Sequence, residues 1–324
     1  MSTIVTEPAR CTGGSLSRAE RLRCFLNAYW LRPENAFWMA LRSEVLADIP
    51  WQRPSIDVSC GDGVFSFLHA GGRFHDDFDV FSAVGSLDRV HTEHADMFDH
   101  VDRGYRPVLA RPARWRIDTG TDWKPNLLTK AGRLHLYEEL LVHDNNRPFP
   151  FEEGAFRTVY CNAAYWVQNV DLLLAELGRM VDRDGSVLLE VKLETVLRYT
   201  LERHRSVLGD RFLDIIGRGR AGTWPSLTDR RTWERRFRRA GLSIERAVPF
   251  VTRTHAHLWD VGLRPIAPLL IELANSVSPE TRSSVKRRWV DLFCELCAPF
   301  CDPAVDLLPG RGEPVEILYE LRPA

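Results

Sequence analysis

Short apolar runs alternate with helical periods from Ser55 to Lys192, and this alternation constrains the fold more than any other feature of the chain. Ser55–Ser59, Trp115–Asp122, Leu140–His143, Arg157–Asn162 and Ser186–Lys192 read as strands. Pro125–Gly132 reads as a short helix with proline in its first turn. Asp171–Val181 reads as a longer helix, with Leu173, Leu174, Leu177 and Val181 on one face and Asp184-Gly185 as its stop. Such a succession predicts an α/β fold: a mostly parallel sheet with helices on both faces. Ser17–Leu46 upstream reads as two helices broken at Pro33. Downstream, helices are expected at Glu194–Ser206 and Asp229–Arg239, and strands at Ser243–Phe250 and Val315–Leu321. The expected organisation is N-terminal helices over 1–50, a core over 51–250 interrupted by an aperiodic insertion near 73–115, a helical insertion over 251–313 too long for an ordinary loop, and a last core strand over 314–324.

Bulk properties narrow the function. A formal net charge of -1 disfavours a general nucleic-acid binder. No run reaches the roughly 20 apolar residues of a spanning helix. Met1–Ser17 carries no apolar leader core, and seven cysteines scattered over 324 residues fit reduced thiols, so a cytoplasmic location is expected.

Three segments carry the chemistry. The first, Asp57-Val58-Ser59-Cys60-Gly61-Asp62-Gly63, is a strand that ends in small residues at alternating positions, where a backbone can approach a ligand closely. It lacks the third glycine of the dinucleotide fingerprint, which disfavours a hydride-transferring dehydrogenase. The second, Asp122-Trp123, puts an acid at a strand end, where α/β sheets bind their ligands; a helix cap is the plainer alternative. The third runs from His143-Asp144-Asn145 through Pro148-Phe149-Pro150-Phe151 and Gly154-Ala155-Phe156 to Cys161-Asn162 and the helix beyond.

Taken together and in this order, the segments resemble the class I S-adenosylmethionine-dependent methyltransferase family over roughly Ile56–Lys192, apart from the insertion. The resemblance implies a Rossmann-like seven-stranded methyltransferase sheet and S-adenosyl-L-methionine as cofactor. It implies that Asp57 and the loop Ser59, Cys60, Gly61, Asp62 and Gly63 hold the methionine end. Asp122 would bind the ribose hydroxyls, with Trp123 on the adenine. Asp144 would accept the adenine amino group, Asn145 would serve the ring nitrogen, and Asn162 would lie beside the methionine moiety. The chain departs from the pattern at Ser59, where the family has its first glycine, and at Arg157, where an acid follows the phenylalanine. The span from Gly63 to Asp122 is also longer than the family norm.

Methyl transfer from a sulfonium asks mainly for alignment and exclusion of water, and needs a general base only where the acceptor must lose a proton. His255 and His257, followed by Asp260, are the candidate catalytic residues, with burial in a lid or a helix-capping role as the plainer alternative. Tyr165 and Trp166 are candidates for an acceptor wall; Tyr199 and His204 are weaker ones, better read as helix surface. No metal is expected: His91, His94, Asp96, Asp99 and His100 lack a second, distant ligand group. Cys294, Cys297 and Cys301 lie beside an apolar helical stripe and read as buried thiols. The arginines of 230–239 read as a solvated face around Trp233 and Phe237.

The expected activity is methyl transfer to a small-molecule acceptor, in specialised metabolism or on a lipid or sugar conjugate. The ground for this is an aromatic-rich insertion (Trp259, Trp289, Phe293, Phe300) that reads as a substrate cap or dimer arm. The alternatives are an RNA methyltransferase and a non-catalytic cofactor-binding scaffold; a homodimer is left open.

Overall fold

The computed structural model describes residues 16–81, 101, 105–217, 220–260 and 264–324. Seven strands form one sheet: β1 (Ser55–Val58), β4 (Ile117–Asp122), β5 (Tyr137–Val142), β6 (Phe156–Cys161), β7 (Val181–Lys192), β8 (Leu242–Val251) and β9 (Glu316–Pro323), in the order β5-β4-β1-β6-β7-β9-β8. All pairs from β5 to β7 are parallel, while β9 runs antiparallel to both its neighbours. This is the seven-stranded, Rossmann-like sheet expected from the sequence. Its order reverses at β1, so the carboxyl ends of β1, β4, β5 and β6 border one crevice, the place where open α/β sheets bind ligands.

The aperiodic stretch after β1 is an excursion closed at its base. Arg73–Phe74 (β2) pairs antiparallel with Leu109–Arg111 (β3), and the chain then re-enters the sheet as β4 beside β1. Asp122 therefore sits at the end of the strand next to β1 in spite of the long intervening span. His91, His94, Asp96, Asp99 and His100 lie outside the described residues.

Helices α1 (Arg18–Tyr29) and α2 (Pro33–Leu46) begin where their sequences dictate. Ser17 and Glu20 form a reciprocal capping box, and Pro33 occupies the first turn of α2. Between the strands lie α3 (Val64–His69), α4 (Pro125–Gly132), α5 (Val170–Met180) and α6 (Arg230–Arg239). The insertion is helical, with α7 (Arg253–Asp260), α8 (Ala267–Ser276) and α9 (Pro279–Cys297). Its aromatic residues, however, pack onto the N-terminal helices. Trp38 lies 4.9 Å from Trp259 and Trp30 lies 5.9 Å from Trp289. Phe293 and Phe300 are partly buried against the same core. The aromatic content that suggested a cap is thus spent on joining the two ends of the chain.

β5 begins three residues before its expected start and β4 two after, and two larger shifts have a visible cause. β7 starts at Val181, because Gly185 does not stop the helix: a Cβ there would come within 2.7 Å of the Arg157 carbonyl, and the glycine is where β7 crosses β6 at a register shift. The expected helix Glu194–Ser206 is broken at Thr200, whose backbone is extended, and the next amide, of Leu201, is taken by the Asp260 carboxylate at 2.6 Å.

Candidate functional site

The loop after β1 is built from alternate left-handed residues: Ser59 (φ 61), Gly61 (φ 60) and Gly63 (φ 75). The two glycines do different work. A Cβ on Gly61 would meet nothing within 4 Å, so the loop presents bare backbone to open space there. A Cβ on Gly63 would come within 3.2 Å of Ala131 and Leu134 and 3.1 Å of Tyr137, so its lack of side chain lets α4 and β5 pack close. Ser59 holds a conformation uncommon for a residue with a side chain, and its Oγ accepts a 2.7 Å hydrogen bond from Asn145 Nδ2.

That bond ties the β5 loop to the β1 loop, and β4 is tied to it as well. Gly61 N donates to Asp122 Oδ2 at 3.1 Å, Lys124 N donates to Asp122 Oδ1 at 2.9 Å, and Cys60 N donates to the Thr121 carbonyl. Burial pushes the Asp122 carboxyl up, against the pull of these two amides. The structure therefore gathers Ser59, Gly61, Asp122 and Asn145, from three strand ends, at one place. Trp123 projects beside them, about two-thirds exposed, with the Lys124 ammonium 5.4 Å from its ring. Asp144 is also exposed; the Asn146 amide and side chain hold its carboxyl below the ordinary range. Asn145 is buried, and its Oδ1 has no hydrogen-bond partner among the described residues.

Asp57 is placed differently from the rest. It is buried, and its Oδ2 accepts from Ser66 Oγ at 2.6 Å and Tyr137 OH at 2.7 Å, tying β1 to α3 and β5. Burial pushes it up to about 6. Asp62 Oδ1 accepts from Val64 N and shapes the turn into α3. Asn162, just past β6, donates to Tyr160 OH at 3.2 Å.

That tyrosine opens a network the sequence did not signal. Tyr160 OH donates to Glu190 Oε2 at 3.3 Å, Arg42 lies 3.3 Å from Glu190 and 2.9 Å from Glu316, and Lys192 lies 2.5 Å from Glu316. Lys192 is at the carboxyl end of β7, and four aromatic rings surround its ammonium: Trp38 at 4.0 Å, Trp224 at 5.4 Å, and Tyr165 and Trp259 at 5.5 Å. The contributing residues come from α2, β6, β7, β9, α7, the turn Ala164–Trp166 and the segment around Trp224, and apart from Glu190 and Lys192, two apart on β7, no local spacing relates them. Glu190 and Lys192, two charges in an otherwise apolar strand (Val187–Lys192), were the available signal.

The two candidate histidines separate. His255 is fully buried: its Nδ1 accepts from Thr252 N at 3.0 Å, its Nε2 donates to the Phe300 carbonyl at 3.0 Å, and burial pushes it down to about 4. Both ring nitrogens are committed, so His255 ties α7 to the segment after α9, as the plainer, buried alternative has it. His257 is half-buried against the Tyr199 ring at 6.4 Å. Asp260 caps the Leu201 amide. Tyr165 is buried in the aromatic box, whereas Trp166 is exposed. Tyr199 OH accepts from Glu313 N, and His204 lies at the surface.

Of the three cysteines expected to be buried thiols, Cys301 is buried, while Cys294 and Cys297 are half-buried. Cys297 and Cys301 are free thiols that burial pushes up to about 11 and about 12, which keeps them protonated. Trp233 and Phe237 are fully buried under α6, while Arg230 and Arg236 pair with Glu234 and Asp171. No helix among the described residues is long and apolar enough to cross a membrane.

No family model matches the chain, and no curated protein matches it. Among solved structures, it is similar to a SAM-dependent methyltransferase from Thermotoga maritima at 10% identity and a TM-score of 0.46, over 95% of this chain and 100% of that one. It is similar to the cyclase SpnF at 12% identity and a TM-score of 0.43, over 87% of this chain and 81% of that one. Both scores lie below 0.5, so the fold stands on the strand order itself.

Proposed function

We propose that this chain transfers a methyl group from S-adenosyl-L-methionine to a small-molecule acceptor. One observation carries the proposal: Ser59, Gly61, Asp122 and Asn145, singled out on three separate strand ends, are joined by direct hydrogen bonds around a stretch of bare backbone that faces open space. The residues fit the cofactor on two counts. Gly61 leaves a cradle that any side chain would narrow, and Asn145 keeps a buried acceptor oxygen without a partner among the described residues.

The bound cofactor would supply an activated methyl on a sulfonium. The loop Ser59, Cys60, Gly61, Asp62 and Gly63 would receive the methionine end, with Asn162 beside it. Asp122 would take the ribose hydroxyls, Trp123 would cover the adenine, and Asp144 and Asn145 would read its edge. Asp57 would act from behind, as the buried anchor that keeps β1, α3 and β5 in place. Alignment would provide most of the rate enhancement, since the leaving group needs no protonation. His257 is the candidate base of the two histidines, for an acceptor that must lose a proton. The paired arginines and buried aromatics of α6 give no particular support to an RNA acceptor.

The test is thermal. Millimolar S-adenosylhomocysteine should raise the Tm of the wild-type protein, since a ligand that binds only the native state stabilises it. NAD should not. Trp123→Ala and Asp144→Ala, both at exposed positions, should fold normally and lose most of that rise. A wild-type protein stabilised by NAD and not by S-adenosylhomocysteine would overturn the proposal.

A further inference from the structure

We infer that the methyl acceptor carries an uncharged, apolar body and that this body binds in a cavity of about 210 Å3 beyond the carboxyl end of β7. The inference rests on the methyl-transfer reading and names the substrate class of that site.

Position comes first. β7 is separated from β1 only by β6, and the three strands run parallel. The carboxyl end of β7, from which the chain runs on to the cavity, therefore lies at the same end of the sheet as the β1 loop, two strand spacings (about 10 Å) away. From Lys192 the chain passes through Leu193 into the short helix Val196–Tyr199, and Leu197 of that helix lines the cavity.

The lining sets the chemistry. Leu197, Leu201, Leu213 and Ile216 supply aliphatic walls, and Trp224 supplies an aromatic one. Trp224 is buried among Tyr165 at 6.3 Å, Trp259 at 6.4 Å and the Lys192 ammonium at 5.4 Å, so a rigid, pre-packed ring backs the cavity. The charged groups in the lining are Glu202, Arg205 and Asp214. Arg205 pairs with Glu202 at 2.5 Å and also with Asp210, and both Arg205 and Asp214 are exposed. The walls are thus mainly apolar, with the Thr200 hydroxyl as a buried polar group and charge at the exposed Arg205 and Asp214 and the half-buried Glu202.

A second observation concerns the helices that carry these walls. Helix Asp210–Gly217 turns Leu213 inward yet exposes Phe212 and Ile215, and Val207 on the preceding helix is 82% exposed. These three side chains lie outside the cavity lining and leave an apolar surface beside it.

The test uses the full chain and N-phenyl-1-naphthylamine, an uncharged aromatic probe whose fluorescence rises in apolar surroundings. Gly222→Phe is the discriminating variant. Gly222 lines the cavity, and a Cβ there would meet nothing within 4 Å, so the first atom of the new side chain is free of clashes. Wild-type protein should bind the probe saturably at one site. Gly222→Phe should weaken that binding at least tenfold while binding S-adenosylhomocysteine as the wild type does. Absence of saturable probe binding, or equal binding by the variant, would overturn the inference and leave the cofactor reading standing. Probe binding that Gly222→Phe abolishes, in a protein that never binds S-adenosylhomocysteine, would keep the cavity but remove its role as an acceptor site.

Discussion

The Asp57 carboxyl is pushed up to about 6 because burial outweighs the two hydroxyls that donate to it. An acid whose folded pKa exceeds its free value stabilises the fold fully below the free value and loses that contribution as pH rises to the folded value. Keeping Asp57 ionised above pH 6 therefore costs about 3 kcal/mol, at 1.4 kcal/mol per pKa unit. Asp57→Asn keeps an acceptor for Ser66 and Tyr137 without the charge. Asp57→Ala orphans two buried hydroxyls, at about 2 kcal/mol. Urea unfolding at pH 7.5 should find Asp57→Asn at least as stable as the wild type and Asp57→Ala less stable; equal losses in both would show that the charge itself is needed. The sequence made the importance of Asp57 legible, since an acid at the end of a strand is visible in one dimension. It could not show which way the carboxylate points, because Ser66 and Tyr137 reach it from other elements. The same holds for His255, whose partners, Thr252 N and the Phe300 carbonyl, are backbone groups that no motif encodes.

Among elements, the strands were read best, because their apolar runs are bounded by turns with their own chemistry. Errors fell where a tertiary contact overrides a local signal: Gly185 serves the crossing of β7 and β6, and Asp260 interrupts a helix by taking the Leu201 amide. The buried charges joining α2, β6, β7 and β9 were invisible for the same reason. Glu190 is the member whose protonation matters near neutrality. It faces Arg42 from α2, Tyr160 from β6 and Glu316 from β9, and feels Asp57 on β1; burial pushes it up to about 8 against the pull of Arg42. Its folded pKa lies above its free value, so its contribution falls with rising pH until about 8. Asp57 is half-ionised at about 6 and adds to the fall just above that, whereas His69 and His255, pushed down to about 3 and about 4, oppose it until the unfolded imidazoles have lost their protons, about one pH unit above their free value of 6.5. Lys286, pushed down to about 8, works against this trend, so the expected outcome is comparative: between pH 6.5 and 8 the Tm of the wild type should fall with pH relative to that of Glu190→Gln. A slope unchanged in the variant would place the titration elsewhere.

At the scale of the molecule, the chain is a sheet whose two flanking helical segments close on each other. Arg23 of α1 pairs with Asp291 of α9, and α9 is also tied to the stretch after β2, where Arg282 pairs with Asp79 and the buried Lys286 ammonium donates to the carbonyls of Asp76 and Phe78. The sheet class, and the strand ends that border the crevice, could be read from alternation and turn residues alone. The joining of N-terminal and C-terminal helices could not, because apolar stripes announce burial without naming the partner. The central claim is that this arrangement holds S-adenosylmethionine on the β1 loop, and calorimetric titration of S-adenosylhomocysteine into the wild type and Gly61→Ala tests it most directly. A Cβ at Gly61 meets no protein atom, so the variant should fold, with only the modest strain of a left-handed alanine. The expected result is one site per chain in the wild type, weakened at least tenfold in a folded Gly61→Ala. Equal affinity in the two proteins, or no binding by either, would contradict it.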